Sequence, residues 1–182
     1  MSQKDYNLKI IENLLIKQNH IRGLAKDLHT NQTTIARKIQ ELYDENVVDF
    51  VIEGKNKKYH LKKTLEAKQH ACILEQHKLI DLLNKYPFLR MIVEEIKKNN
   101  KIHLALLFGS YAKGLAKNDS DIDVYIETTD LKLKHEIEKI HTKLSVKIGV
   151  YDPNNLLIKE IGKNHIILKG TEDYYEKNQF FT

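Results

Sequence analysis

The sequence has no tryptophan, a single cysteine, two prolines and seven glycines among its 182 residues. One cysteine excludes a disulfide framework and a cysteine-based zinc site, and it favours a reducing compartment. Scarce glycine and proline exclude a collagen-like or low-complexity chain. No apolar run approaches the ~20 residues of a membrane span, and the start of the chain lacks the apolar core of a signal peptide. We therefore expect a cytoplasmic protein without a membrane partner.

The remaining composition is that of a folded globular protein, with 41% hydrophobic and 30% charged residues. The length allows one ordinary domain or two small ones, at ~100–200 residues per domain. The formal charge of +5 is unevenly spread, because residues 1–63 carry twelve Lys or Arg against eight Asp or Glu, whereas residues 64–182 carry eighteen against seventeen. This basic excess in the first third is consistent with a polyanionic partner or with a general lysine bias.

The first 63 residues show the spacing of three short helices followed by a β-hairpin. Apolar residues recur at helical intervals over about 5–18 and 21–29, and again after an N-cap at Thr30 or Asn31. A β-branched run at 47–52 and a second short run at 59–61 flank a basic tip that contains glycine. This order of elements resembles the winged helix-turn-helix family.

That resemblance implies double-stranded DNA as a partner. The third helix would enter a major groove, and the hairpin would contact phosphates or a minor groove. The candidate DNA-binding residues are Thr33, Thr34, Arg37 and Lys38 on the helix, and Lys55, Lys57 and Lys58 on the hairpin. The alternatives are a solvated polar face with a charged turn, or a protein-interaction module. A second copy is a further candidate partner, since winged-helix proteins commonly dimerise on palindromic sites.

Residues 64–85 predict a long helix, without Gly or Pro, that serves as a connector or a dimerisation helix. After a further helix that begins near Pro87, strands at 102–108, 122–126, 145–151 and 166–168 alternate with helices at 131–144 and 153–161, before a polar tail. We therefore predict two domains of mixed α+β or α/β class. The first covers residues 1–63, and the second covers residues 86–182.

Gly109 and Ser110 lie where the buried strand at 102–108 turns into the next helix. Glycine lets the backbone approach a ligand closely. Free N–H groups at a helix start, together with the Ser110 hydroxyl, suit a phosphate group, and Lys113 adds a positive charge nearby. The turn is therefore a candidate phosphate site.

Asp121 and Asp123 are two residues apart on the next predicted strand, so both carboxylates share one face, with roughly 7 Å between their Cα atoms. Ile122 and Val124 point to the other face, towards the core. Two carboxylates on one face repel each other unless a cation lies between them, and Mg²⁺ prefers oxygen ligands. A phosphate cradle opposite an aspartate pair is the apparatus of phosphoryl or nucleotidyl transfer.

The arrangement Gly-Ser-Tyr-Ala-x-Gly followed by Ser-Asp-Ile-Asp-Val resembles the polymerase-β-type nucleotidyltransferase superfamily, and most closely its minimal nucleotidyltransferase branch. The resemblance implies a small mixed sheet flanked by helices, and transfer of a nucleotide from a nucleoside triphosphate to an acceptor with release of pyrophosphate. It implies that Asp121 and Asp123 are catalytic and ligate Mg²⁺ or Mn²⁺. The nucleotide would be bound by Gly109, Ser110, Lys113 and Ser120.

A departure from the family pattern concerns a third carboxylate, which the resemblance implies on the strand at 145–151. That strand has no acid, and Lys147 lies near the position. Three explanations remain open: Asp152 or Glu127 substitutes, the predicted register is wrong, or the domain binds nucleotide without turning it over.

Three functions remain open. The first is Mg²⁺-dependent nucleotidyl transfer by the second domain, with a DNA-binding first domain. Its acceptor would be a partner protein, since minimal nucleotidyltransferases often occur as antitoxins in toxin–antitoxin pairs. The second is a DNA-binding transcriptional regulator whose nucleotidyltransferase-like domain is inactive or only binds nucleotide. The third is a partner-binding scaffold.

Overall fold

The structure is a computed structural model that describes residues 3–181. The chain forms two compact units, Met1–Leu74 with Phe180–Thr182, and Glu75–Gln179. The predicted mixture of helices and small sheets is confirmed, whereas the domain boundaries at residues 63 and 85 stay a prediction. Among the residues described, no helix combines the length and hydropathy that crossing a bilayer requires.

Three helices open the first unit: α1 (Gln3–Ile16), α2 (Ile21–Asp27) and α3 (Gln32–Asp44). Each buries one apolar side, so Ile10, Leu24 and Ile35 have no exposed surface. The Asn31 side chain accepts a hydrogen bond from the Thr34 backbone N–H at 2.7 Å. This bond satisfies one of the free donors at the start of α3, which is why the helix begins where the sequence predicts.

A two-stranded hairpin follows, in which β1 (Val48–Glu53) pairs antiparallel with β2 (Asn56–Leu61). The backbones of Asn19 and Tyr59 exchange two hydrogen bonds, at 3.0 and 2.7 Å. These bonds attach the hairpin to the segment between α1 and α2. The winged helix-turn-helix assignment of these elements stays a proposal.

Two helices connect the hairpin to the second sheet, α4 (Leu65–Lys85) and α5 (Leu89–Lys98). On α4, Leu79 is 4% exposed but Leu65 is 70% exposed, so the apolar residues of this helix are not buried along its whole length. On α5 the predicted apolar side is buried, namely Leu89, Ile92, Val93 and Ile96.

The second unit is built on a four-stranded sheet of β3 (Ala105–Phe108), β4 (Ile122–Glu127), β5 (Leu144–Gly149) and β6 (Ile166–Lys169). The strand order is β5-β4-β3-β6, and only β4 and β5 run parallel, which confirms a small mixed sheet. β3 begins later than predicted, because the Ile102 N–H still bonds back to the Asn99 carbonyl at 3.1 Å and keeps that residue in a turn.

Four helices complete this unit: α6 (Gly109–Ala112), α7 (Leu131–Glu138), α8 (Leu156–Lys163) and α9 (Thr171–Lys177). α7 is shorter than predicted, because His141 Nδ1 accepts a hydrogen bond from the Lys143 N–H in the turn that follows. α8 begins three residues after Pro153, where Asn155 caps it by accepting from the Leu157 N–H.

The expectation of a polar tail is wrong. α9 buries Tyr174 and Tyr175, which are 6% and 2% exposed. Their rings pack edge to face against each other, with centroids 5.6 Å apart. The polar residues around them form the outer side of a helix, and the sequence pattern alone did not separate these two sides.

Candidate active site

The site develops from the alternation of side chains along β4. Ile122 and Val124 are fully buried in the core of the second unit, as the alternation predicts. Asp123 lies between them on the opposite face, and it is half-buried. In the antiparallel pairing of β3 with β4, Asp123 lies directly opposite Phe108, the last residue of β3. The chain therefore brings Asp123 beside the turn that follows Phe108.

That turn is Gly109, whose backbone has a φ of +73°. A Cβ atom added at Gly109 would lie 2.4 Å from the Asp123 Oδ2 atom, which is closer than real Cβ atoms come to such a neighbour. The left-handed backbone favours glycine here, and any larger residue would have to displace the Asp123 carboxylate. The structure thus gives a physical reason for glycine at the first position of the Gly-Ser pair.

Asp121 immediately precedes β4 and is exposed. Burial raises the pKa of Asp123, and the negative charge of Asp121 raises it further. The two carboxylates are therefore close enough to interact unfavourably. A cation bound between the two carboxylates would relieve this repulsion.

The other predicted nucleotide-binding residues lie on α6, at its C-terminal end and in the loop that leads to Asp121. Ser110 lies in the first turn of α6, and the exposed Lys113 caps its end. The charge of Lys113 also acts on Glu160, whose pKa it helps to lower. The Ser120 hydroxyl accepts a hydrogen bond from the Lys117 N–H at 2.9 Å, so Ser120 holds the loop that leads into Asp121.

The neighbouring strand β5 adds two side chains to the same face. In the parallel register, Ser145 lies opposite Asp123 and Lys147 lies opposite Tyr125. Lys147 is exposed, and its charge counteracts the raised pKa of Asp123. The sequence predicts Lys147 near the site, but it does not single out Ser145. Counting alternation back from Lys147 would have put Ser145 on this face.

Comparison with known proteins decides the family. Residues 90–174 match the family described as Polymerase beta, Nucleotidyltransferase. "Putative protein adenylyltransferase MJ1215" of Methanocaldococcus jannaschii is 35% identical over 72 residues, 37% of this chain and 84% of that protein. "Putative protein adenylyltransferase MJ0141" from the same organism is 38% identical over 68 residues, 32% of this chain and 69% of that protein. The chain belongs to the polymerase beta nucleotidyltransferase family. This membership supports an enzyme of the nucleotidyltransferase class.

Two acids are candidates for a third carboxylate at this site, and both form hydrogen bonds with other groups. Glu127 lies at the far end of β4, where its Oε1 atom accepts hydrogen bonds from Lys177 Nζ at 2.9 Å and from the Tyr151 N–H at 3.3 Å. Asp152 is exposed and accepts from the Asn154 N–H at 2.8 Å. Both acids are thus engaged in hydrogen bonds within the local structure.

The donor set fits a divalent cation in one respect. Asp121 and Asp123 are oxygen donors whose mutual repulsion a cation would relieve, and the missing Cβ of Gly109 lets the Asp123 carboxylate lie against the Gly109 backbone. Within the part of the chain that the structure describes, no three His, Cys, Asp or Glu side chains converge into a larger metal cluster. The candidate site thus offers a pair of carboxylates to a cation.

The predicted DNA-binding residues lie in the first unit, and most of them are on its surface. Thr33 and Arg37 are exposed on α3, and Thr34 is half-buried. Lys55 is exposed at the hairpin turn. Lys57 places its Nζ 3.9 Å from the centroid of the Phe50 ring. These side chains share one unit, as sequence analysis expects.

Two of the lysines are engaged within the fold. Lys58 forms an ion pair with Glu53 at 3.4 Å across the hairpin. The sequence predicts Lys38 on the exposed face of α3, and this prediction is wrong. Lys38 is 5% exposed, and its Nζ atom lies 2.5 Å from Glu41 Oε2. The i,i+3 partner draws its ammonium along the helix and away from solvent, so we omit Lys38 from the proposed interface.

Proposed function

We propose that the second unit transfers a nucleotidyl group from a nucleoside triphosphate to an acceptor, with Mg²⁺ or Mn²⁺ as cofactor. The observation that carries this proposal is the approach of the Gly109 backbone to Asp123, beside Asp121. The names of the two relatives favour ATP as the donor and a protein as the acceptor. A partner protein in an antitoxin-like pair is the acceptor that we favour.

In this reaction an acceptor oxygen attacks the α-phosphorus, and the bond from that phosphorus to the α,β-bridging oxygen breaks. Pyrophosphate leaves with the bonding electrons, and the acceptor hydroxyl loses its proton to solvent. A bound divalent cation supplies electrostatic stabilisation of the phosphate charge. Asp121 and Asp123 would hold that cation. Gly109 and Ser110 would orient the triphosphate through backbone N–H groups and the hydroxyl, which fixes the α-phosphorus in place.

The test is transfer of radioactive label from α-³²P-ATP to protein, with pyrophosphate release measured in parallel. Asp121→Asn combined with Asp123→Asn should lower both signals at least about a hundredfold, because the carboxylate charge is lost. Asp119→Asn is the matched control, since Asp119 is exposed and lies two residues before Asp121. Equal labelling by the double variant and the control would contradict the proposal.

The alternative for this unit is nucleotide binding without turnover. It predicts that the wild-type chain binds ATP with Mn²⁺ in calorimetry but releases no pyrophosphate with any acceptor. The same double variant would then lose binding, so the carboxylates would keep their role while the enzymatic proposal fails.

For the first unit we propose binding to double-stranded DNA. The observation that favours it is that Thr33 and Arg37 lie exposed on α3, in the same unit as the exposed Lys55 of the hairpin. A shallow groove of about 590 Å³ lies at the junction of α2 and α3, and Arg22, Lys26 and the capping residue Asn31 line it. Basic side chains on a groove at a helix start suit the phosphate backbone.

The test is fluorescence anisotropy with a short random-sequence duplex over a range of salt concentrations. Arg37→Ala with Lys55→Ala should weaken binding and reduce the slope of log K against log salt by about two, at ~0.9 per phosphate contact. Lys132→Ala is the control, because Lys132 is an exposed residue of the second unit. An unchanged slope would contradict the proposal.

A further inference from the structure

The charge on the open face of β4 and β5 differs from that of a site built for two divalent cations. Three charged groups interact at the Asp123 end of this face: Asp121, Asp123 and Lys147. Glu127 also lies on this face by alternation, but its charge is paired with that of Lys177. β5 itself carries no acid, and no cluster of three acids or histidines forms anywhere in residues that the structure describes. The formal charge of the three groups together is therefore −1, which balances less than one divalent cation.

Lys147 is placed to act on this site by the register of the parallel strands. It lies one strand across from Asp123 and two residues further along. Neighbouring strands are ~4.8 Å apart and residues advance ~3.3 Å each, so the two Cα atoms are about 8 Å apart. The lysine stem spans most of that distance. Alternation puts Lys147 on the same face as Asp123, while its neighbour Val146 is buried in the core.

Two nearby acids are engaged by groups other than this ammonium. Glu127 is held by Lys177 and the Tyr151 N–H, and Asp152 by its own turn. The effect of Lys147 on Asp123 is through its charge. An ammonium beside a cation site repels a second divalent cation and attracts the phosphates that the first cation also binds.

We infer that the site takes a single divalent cation and that the Lys147 ammonium supplies the second positive charge, in contact with the phosphates of the nucleotide. The inference rests on the proposed function of the same site. It assigns to Lys147 a role in binding triphosphate. It also explains how the site could function although β5 carries no acid beside Asp121 and Asp123.

The test counts Mn²⁺ ions by electron paramagnetic resonance at saturating α,β-methylene-ATP and measures the affinity of that analogue by calorimetry. The wild-type chain should bind one Mn²⁺. Lys147→Glu should bind two, because an acid replaces the ammonium. Lys147→Met should still bind one Mn²⁺ but hold the analogue about tenfold more weakly, since a charge-assisted contact is lost. Lys147→Arg should restore most of the affinity.

Lys132→Glu and Lys132→Met are matched controls on the exposed surface of α7, and both should behave as the wild type. Two Mn²⁺ ions in the wild-type chain, or an unchanged affinity in Lys147→Met, would overturn the inference and leave the proposed transfer reaction standing. If the wild-type chain binds neither Mn²⁺ nor the analogue, the proposed function itself fails, and the role of Lys147 fails with it.

Discussion

The carboxylates of the two units experience opposite electrostatic conditions. In the first unit, a hydrogen bond from Asn13 lowers the pKa of Asp27, and one from Lys38 lowers the pKa of Glu41. In the second unit, burial and the charge of Asp121 raise the pKa of Asp123. At neutral pH the first two acids therefore favour the folded state, whereas Asp123 opposes it.

The contrast belongs to the site rather than to the whole second unit. Glu160, on α8, has its pKa lowered by a hydrogen bond from Lys163, as the acids of the first unit do with their partners. Near Gly109 the fold keeps the Asp123 carboxylate in an unfavourable place. Groups that oppose folding and are nevertheless retained mark functional sites.

The largest effect should come from Gly109→Ala. The added Cβ would lie 2.4 Å from Asp123 Oδ2, so the carboxylate must move. We expect nucleotidyl transfer to fall at least about a hundredfold, because a displacement of ~1 Å in an active site has that effect. The measurement is label transfer from α-³²P-ATP.

Gly54→Ala separates this contact from backbone strain. Gly54 has a φ of +62°, close to that of Gly109, but nothing lies within 4 Å of its added Cβ. Both variants should lose ~1–2 kcal/mol of stability through the left-handed backbone. Only Gly109→Ala should lose transfer. Equal transfer by the two variants would show that the approach of Gly109 to Asp123 has no role in the reaction.

The next effect concerns acid, which should destabilise the second unit before the first. Burial lowers the pKa of His165 to about 4, and the charge of Lys78 contributes in the same direction. The unfolded chain therefore binds this proton more readily, and stability is lost as the pH falls from about 6.5 to about 4, by on the order of 3 kcal/mol. Asp27 and Glu41, whose pKa values are lowered, lose their contributions only at more acidic pH, below the ordinary carboxyl range.

Hydrogen exchange resolved by residue, followed across this pH range, distinguishes the two units. His165→Phe keeps a ring against Tyr174, whose centroid lies 4.7 Å from that of His165, and it should flatten the pH dependence of the second unit. His135→Gln is the control, because the His135 side chain is 70% exposed. If the first unit opens at higher pH than the second, the assignment to His165 is wrong.

A smaller effect is expected on the affinity for duplex DNA, where the exposed Arg37 and the buried Lys38 of α3 should differ. Arg37→Ala should weaken duplex binding about five- to tenfold, whereas Lys38→Met should leave it within about twofold. The reason is that Arg37 is exposed and Lys38 is bonded to Glu41. Anisotropy titrations measure both. A loss in Lys38→Met equal to that in Arg37→Ala, at unchanged melting temperature, would return Lys38 to the interface.

Local patterns predict most of the fold, and the exceptions have physical causes. Alternation at Ile122 and Val124 and the cap at Asn31 depend on near neighbours, so the sequence is sufficient to predict them. The burial of Lys38 depends on one i,i+3 partner competing with solvent, and the polar pattern of α3 does not show which of them prevails. Alternation along β5 gives the face of Ser145, but its place opposite Asp123 follows only from the register of two parallel strands, which no local pattern contains.

The smallest effect is on stability, and it concerns the Asp123 carboxylate, whose charge opposes folding. Asp123→Asn should raise the melting temperature of the metal-free chain by ~2–4 °C at pH 7, because it removes the repulsion and the burial of a charge. Since the pKa of Asp123 is raised, its penalty is complete above that pKa and disappears as the pH falls towards the ordinary carboxyl range. The gain in melting temperature should therefore shrink in acid, while Asp119→Asn should leave the melting temperature unchanged at either pH.

Saturating Mn²⁺ and α,β-methylene-ATP should reverse the order of the two melting temperatures, so that the wild type melts higher than Asp123→Asn in calorimetry. The reason is that these ligands bind only the folded wild type and therefore stabilise it alone. A variant that is less stable without metal would show that Asp123 supports the fold, and the contrast between the two units would not hold.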